Sequence, residues 1–234
     1  MRPFYCLHYA PDNASLIVRL ALEEAGLPYE TALVDRARRG QKAPDYLRLN
    51  PNGLIPVLET PECALFETGA ILLWLGDRHG VGPGAGDSAR GDYLKWLVFV
   101  SNTLHADLRI TFYPGLYVGD DAAMQAALVR TVQGRLAVHL RHLDTVAARR
   151  PVWLDAGRPT GLCWYIACLM RWMALYPRDG DRSWFRLSDT PALAGMLAAL
   201  ETRPAALKAA GAEGLGPTPF TNPRLATPPE GSAT

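Results

Sequence analysis

The apolar and polar positions change period several times along the first third of the chain. Phe4 to Tyr9 alternates aromatic and smaller apolar residues, which predicts a strand. Pro11-Asp12-Asn13 predicts a loop. Ala14 to Ala25 carries helical spacing and is closed by Gly26 and Pro28. Tyr29 to Val34 predicts a second strand, Arg36 to Lys42 a basic loop, and Pro44 to Leu49 a short helical turn. An apolar strand with proline at its second position, Ile55 to Leu58, follows a tight turn. A hairpin at Thr60-Pro61-Glu62 leads to a strand over Cys63 to Phe66, then a helix from about Ala70 to His79. The order is β-α-β-α-β-β-α, and its first β-α-β unit is expected to be right-handed with parallel strands.

Gly80 to Gly86 is rich in Gly and Pro and predicts a linker. No strand pattern returns after it. Leu94, Leu97, Val98, Ser101, Leu104, His105 and Leu108 fall on one helical face. Val129, Val132, Leu136, Leu140 and Leu143 mark a second helix. Thr160 to Tyr176 is apolar nearly all round, as expected of a buried central helix. Pro191 to Thr202 predicts a fourth helix, with Thr190 as N-cap. Gly214 to Thr234, dense in Pro, Gly and Thr, predicts a tail that packs as extended chain or stays mobile.

Composition narrows the function classes. With 234 residues and 49% apolar content the chain is globular, with room for one or two cores. A net charge of +1 gives no reason to expect nucleic acid or an anionic membrane as partner. No run of 18 apolar residues suggests a membrane span. The N-terminus runs straight into a strand, so no signal peptide is expected. Cys6, Cys63, Cys163 and Cys168 are scattered with no C-x-x-C, so neither a metal site nor a dithiol motif is expected, and a cytoplasmic location fits.

The most informative stretch is Asn50-Pro51-Asn52-Gly53-Leu54-Ile55-Pro56-Val57-Leu58, followed by Glu67-Thr68. Proline is normally excluded from a sheet interior. A cis Ile55-Pro56 peptide would retain it and turn the N–H and C=O of Ile55 outward, free to pair with an extended peptide. A helix starting beside Glu67-Thr68 offers N–H groups to a carboxylate, and the Glu67 side chain can hold an ammonium group. Together these suit a γ-glutamyl peptide such as glutathione.

These residues resemble the Asn-Pro-x-Gly-x-Val/Ile-Pro-x-Leu run and the Glu/Gln-Ser pair of the glutathione transferase family, over roughly residues 4–80. From about 90 to 205 the likeness is one of helical layout. The resemblance implies an α/β thioredoxin-like N-terminal domain plus an all-α C-terminal domain, the cytosolic glutathione transferase architecture. The expected divisions are 1–80 for glutathione binding, 81–87 as linker, 88–213 as helical substrate domain and 214–234 as tail. It also implies a homodimer, glutathione as co-substrate with no metal, and a small-molecule electrophile as acceptor. The function expected is activation of the glutathione thiolate for attack on an apolar electrophile or a peroxide. The alternatives are another glutathione-dependent enzyme (lyase, isomerase, reductase) or a non-catalytic binding protein of this fold.

A free thiol of pKa ~8.5 is mostly un-ionised at pH 7. Lowering it by about two units takes roughly 2.7 kcal/mol. One hydrogen bond to a charged sulfur supplies about 1.5–3 kcal/mol, and a helix N-terminus about 0.3–1 kcal/mol. One donor therefore suffices. The segment Tyr9-Ala10-Pro11-Asp12-Asn13-Ala14-Ser15-Leu16 resembles the loop of bacterial beta-class members, with Ala14 where those carry cysteine. Ser15 is the first candidate donor and Asn13 its rival; both residue types are also ordinary helix caps. Ile55, Pro56, Glu67, Thr68 and Gln41 are the expected glutathione-binding residues. Tyr9, His105, Phe112, Tyr113 and Trp164 are the expected acceptor-binding residues, although aromatics on helices belong to a core more often than to a pocket.

Overall fold

The computed structural model describes residues 5–233. A four-stranded sheet is built from β1 (Tyr5–Tyr9), β2 (Tyr29–Leu33), β3 (Val57–Glu59) and β4 (Ala64–Phe66), in the order β2-β1-β3-β4. β1 pairs parallel with β2 and antiparallel with β3, placing Leu7 against Leu58 and His8 against Val57. β3 and β4 are antiparallel, with Val57 opposite Phe66. Helix α1 (Ser15–Glu24) supplies the β1-to-β2 crossover, α2 (Pro44–Leu49) precedes β3, and α3 (Thr68–His79) follows β4.

The period of two divides β1 between two cores. Leu7 and Tyr9 join α1, Leu58 and α3 in the main core. Cys6 and His8 point to the opposite face, where Tyr46 of α2 packs with Val34 and Val57. The third strand starts one residue after Pro56 rather than including it, because proline has no N–H to give the ladder. Gly53 sits at φ +60°, and a Cβ there would lie 2.7 Å from the Gln41 carbonyl oxygen. Only glycine lets the 50–53 turn approach the Gly40–Lys42 turn so closely.

After α3 the described chain is helical. Helices α4 (Arg90–Phe99) and α5 (His105–Phe112) form one run, interrupted by a π-helical turn over Val100–Leu104. That turn advances the register, so the expected stripe is broken: Val98 is exposed while Leu97, Leu104 and Leu108 are buried. A short α6 (Gly115–Val118) and the long α7 (Ala122–Ala148) follow; α7 buries Val132, Leu136, Leu140 and Leu143 as its spacing predicts. Helix α8 (Gly161–Leu175) is buried at every position but Ala174 and is capped by the Thr160 hydroxyl, which accepts from the Leu162 N–H.

Helix α9 (Pro191–Glu201) corrects one expectation. Thr190 does not cap it; its hydroxyl donates to the Leu187 carbonyl, and the Asp144 carboxylate from α7 accepts the Leu193 N–H instead. Helix α10 (Pro204–Glu213) was not evident in the sequence pattern. The tail after it packs down: Leu215, Phe220, Ala226 and Ala233 are all buried.

Candidate glutathione site

Three elements converge at one end of the sheet, where β1 and β4 finish and β3 begins. The first is the turn ahead of β3. Asn50 is buried, and its side-chain amide and the Tyr46 hydroxyl both donate to the Leu54 carbonyl, at 2.8 and 2.7 Å. This fixes the chain entering Ile55, whose peptide bond to Pro56 is cis. Among the described residues none hydrogen-bonds to the main chain of Ile55.

The second element is the start of α3. Since Val57 pairs with Phe66, the register brings Glu67 alongside Pro56. Glu67 is exposed, has no side-chain cap role, and holds φ +69°. A non-glycine residue there carries backbone strain of about 1–3 kcal/mol, which surrounding structure has to over-determine. Thr68 is buried, near Tyr165 of α8. Tyr165 in turn lies 2.8 Å from His105 Nδ1.

His105 is half-buried, its ring also 5.9 Å from that of Trp172. Burial, helped by the Arg109 charge, pushes its pKa down to about 4. The folded protein therefore keeps this imidazole neutral, whereas in the unfolded chain it protonates near 6.5. Stability is expected to fall as pH drops from about 6.5 to 4, by roughly 2–3 kcal/mol from this group alone. Denaturant unfolding of wild type and His105→Gln at pH 7 and 4.5 checks this: the variant should lose distinctly less on acidification, and equal losses would refute it.

The third element is the loop from β1 into α1. Ser15 is fully buried at the first residue of α1; its hydroxyl donates to the Ala10 carbonyl at 3.0 Å and accepts the Ala10 N–H at 3.2 Å. With both bonds going to the Ala10 main chain, the Ser15 hydroxyl braces this loop. Asn13 is half-buried; its Oδ1 accepts the Ala14 N–H at 2.8 Å, and its amide nitrogen has no partner among the described residues.

Underneath lies Asp12, held at φ +49° and buried. Its carboxylate accepts Arg171 Nε at 2.8 Å and Nη2 at 2.9 Å, Trp172 Nε1 at 2.8 Å and the Tyr176 hydroxyl at 2.9 Å. Its N–H donates to Glu213, which also accepts Arg19 Nε at 2.7 Å. Burial pushes the Glu213 carboxyl up to about 7, against the pull of Arg19 and that N–H. The sequence signal for this network was Arg171, a lone charge inside an otherwise apolar helix, since a buried arginine requires a partner. The partner, 159 positions away, carried no such mark.

The expected acceptor residues separate. Tyr9 is buried beneath the tail, its hydroxyl donating to Glu230. Phe112 packs against Tyr113 and Tyr176, and Tyr113 is exposed, its hydroxyl accepting from Arg36, which also donates to the Ala233 carbonyl. Trp164 does not belong with them: it is fully buried in the helical core against Phe220. Gln41 is half-buried, with Oε1 turned inward and unpartnered among the described residues.

A parallel-then-antiparallel sheet followed, among the described residues, by a helical remainder is the architecture of a thioredoxin-like domain joined to a helical one. The family described as glutathione S-transferase, N-terminal domain, matches residues 14–78. Glutathione S-transferase GST-4.5 of Xanthomonas campestris pv. campestris is 31% identical over 175 residues, 71% of this chain and 81% of that one. The glutathione S-transferase of Xylella fastidiosa superposes with TM-score 0.76 at 26% identity, over 91% of this chain and 100% of that one. A Pseudomonas putida glutathione transferase, solved with one glutathione disulfide per subunit, shares the fold (TM-score 0.74, 22% identity, 88% of this chain and 90% of that one). The chain belongs to the glutathione S-transferase family, and the enzyme class is glutathione transferase.

Proposed function

We propose that this enzyme binds glutathione along the Ile55–Pro56 edge and activates its thiol for attack on an apolar electrophile or a peroxide. The observation that carries this is the unpaired main chain of Ile55, in register beside Glu67 and the start of α3. The cysteinyl unit pairs with Ile55 as one more strand. Glu67 takes the γ-glutamyl ammonium, and the Thr68 end of α3 takes its carboxylate. Gln41, from the turn against Gly53, is the candidate for the glycine carboxylate.

Asn13 is the thiol donor in this arrangement, since its amide nitrogen is uncommitted while the Ser15 hydroxyl is spent on Ala10. Ala14, where a cysteine would form a mixed disulfide, cannot do so; this favours transfer over disulfide reduction. The acceptor lies against Phe112 and Tyr113, at the side where Tyr9 meets the tail.

Retention on immobilised glutathione, then turnover of a chlorodinitrobenzene-type acceptor, of cumene hydroperoxide and of a glutathione mixed disulfide, tests the reading. Retention with turnover of either of the first two is expected. Turnover of the disulfide alone would make the enzyme a reductase, and absence of retention would overturn glutathione binding. Asn13→Ala is expected to raise the pKa of bound glutathione by about one unit or more, the loss of a charge-assisted hydrogen bond. Ultraviolet titration of the bound thiolate reads this directly. Ser15→Ala should leave that pKa in place and lower stability by about 1–3 kcal/mol, by stranding the Ala10 N–H in a buried site. The reverse pattern would return the donor role to Ser15.

A further inference from the structure

On the sheet face opposite Leu7 and Tyr9, three side chains with different donor atoms come together. Cys6 and His8 are two apart on β1 and so project from the same face. Glu59 on β3 is the cross-strand partner of Cys6. The Cys6 thiol, a His8 ring nitrogen and a Glu59 carboxylate oxygen all lie within 4.8 Å of one another, and all three residues are half-buried. Two adjacent strands hold them, so the cluster does not depend on a loop.

We propose that Cys6, His8 and Glu59 form a binding site for a borderline divalent cation of the zinc type. Sulfur, imidazole nitrogen and carboxylate oxygen are the donor set that such cations take, at about 2.3 Å for sulfur and about 2.0–2.2 Å for the others. Tetrahedral bonds of that length set donor atoms about 3.3–3.7 Å apart. The site needs only small adjustments to reach this. His8 Nε2 and Glu59 Oε1, now hydrogen-bonded at 2.6 Å, must open, and the thiol must close in. The Glu59 side chain is 46% exposed and free to rotate by that amount, while His8 is held by its ring contact with Tyr46. The cation displaces the thiol proton and the proton between His8 and Glu59, and solvent supplies the fourth ligand.

The surrounding charge suits a cation. Glu30 on β2 is the other cross-strand partner of Cys6, so the sulfur sits between two carboxylates, and among the described residues no Lys or Arg is paired with any of the three ligands. The spacing of the cysteines along the sequence hid this arrangement, because its third member arrives from a strand that is 51 residues beyond His8.

The test uses the full chain, freed of metal and of thiol reductant, with Cys63→Ser introduced because Cys63 is exposed and its thiol is a competing ligand. Cobalt(II) is the probe. One equivalent is expected to bind with a sulfur-to-cobalt charge-transfer band and the intense visible bands of four-coordinate cobalt, and zinc should displace it. Cys6→Ser should abolish the charge-transfer band. His8→Gln and Glu59→Gln should each weaken binding at least about tenfold, the lower limit seen when even a supporting partner of a metal ligand is removed. A cooperative melt for each variant confirms that it is folded. No charge-transfer band in the Cys63→Ser protein, or a band that survives Cys6→Ser, would overturn the site. So would an affinity that neither His8→Gln nor Glu59→Gln moves.

Discussion

Asp12→Asn is expected to lower stability by about 3–5 kcal/mol, the usual consequence of removing one partner of a buried ion pair. The Asp12–Arg171 pair has no exposed side-chain surface on either member. Asparagine keeps the size of the side chain and tolerates the left-handed backbone at this position, so the change isolates the charge. It leaves the Arg171 guanidinium in a dry interior without a counter-charge, held by the carbonyls of Pro219 and Arg224 and by one amide oxygen in place of two carboxylate oxygens. Urea unfolding measures the loss. The double variant Asp12→Asn, Arg171→Met should recover much of it, because replacing both charges is far less costly than stranding one. A single variant within about 1 kcal/mol of wild type would mean that water reaches the pair.

Glu67→Gln is expected to weaken glutathione binding by about ten- to hundredfold, the equivalent of roughly 1.5–3 kcal/mol for one charge-assisted hydrogen bond. Calorimetric titration with glutathione reads it. A second substitution separates binding from folding at the same position. Glu67→Gly removes the carboxylate and also relieves the φ of +69°. Its affinity should fall as in Glu67→Gln while its stability rises by about 1 kcal/mol, the strain relieved less the chain entropy that glycine adds. Such opposite signs are what a residue held under strain for a ligand would show. Unchanged affinity in both variants would remove Glu67 from the site.

The order of elements through α3 was legible because period-two and period-3.6 stretches are short there and separated by Gly, Pro and Asn. The backbone around Ile55-Pro56 and Glu67-Thr68 was legible for a related reason: a proline beside a strand and an acidic-hydroxyl pair before a helix each impose a backbone geometry. What stayed hidden depended on distant partners. Ser15 looked like an available hydroxyl because nothing local shows that Ala10 folds back onto it. Trp164 looked like a pocket aromatic because the tail that delivers Phe220 against it has no periodicity. The π-helical turn at Val100–Leu104 was invisible because one extra residue per turn leaves an apolar stripe intact on paper while rotating it in space. Arg171 was the exception that sequence could have flagged, as a charge where the pattern demands none.

The bond between Asp12 and Arg171 has a consequence for synthesis. A ribosome releases Asp12 long before α8, and longer still before Pro219 and Arg224 complete the arginine's shell. The emerging sheet and α1 therefore assemble around a carboxylate that has no counter-ion yet. The loop that carries the thiol donor in our scheme can settle only when nearly the whole chain has left the exit tunnel, so truncated translation products should form the strands but hold no ligand.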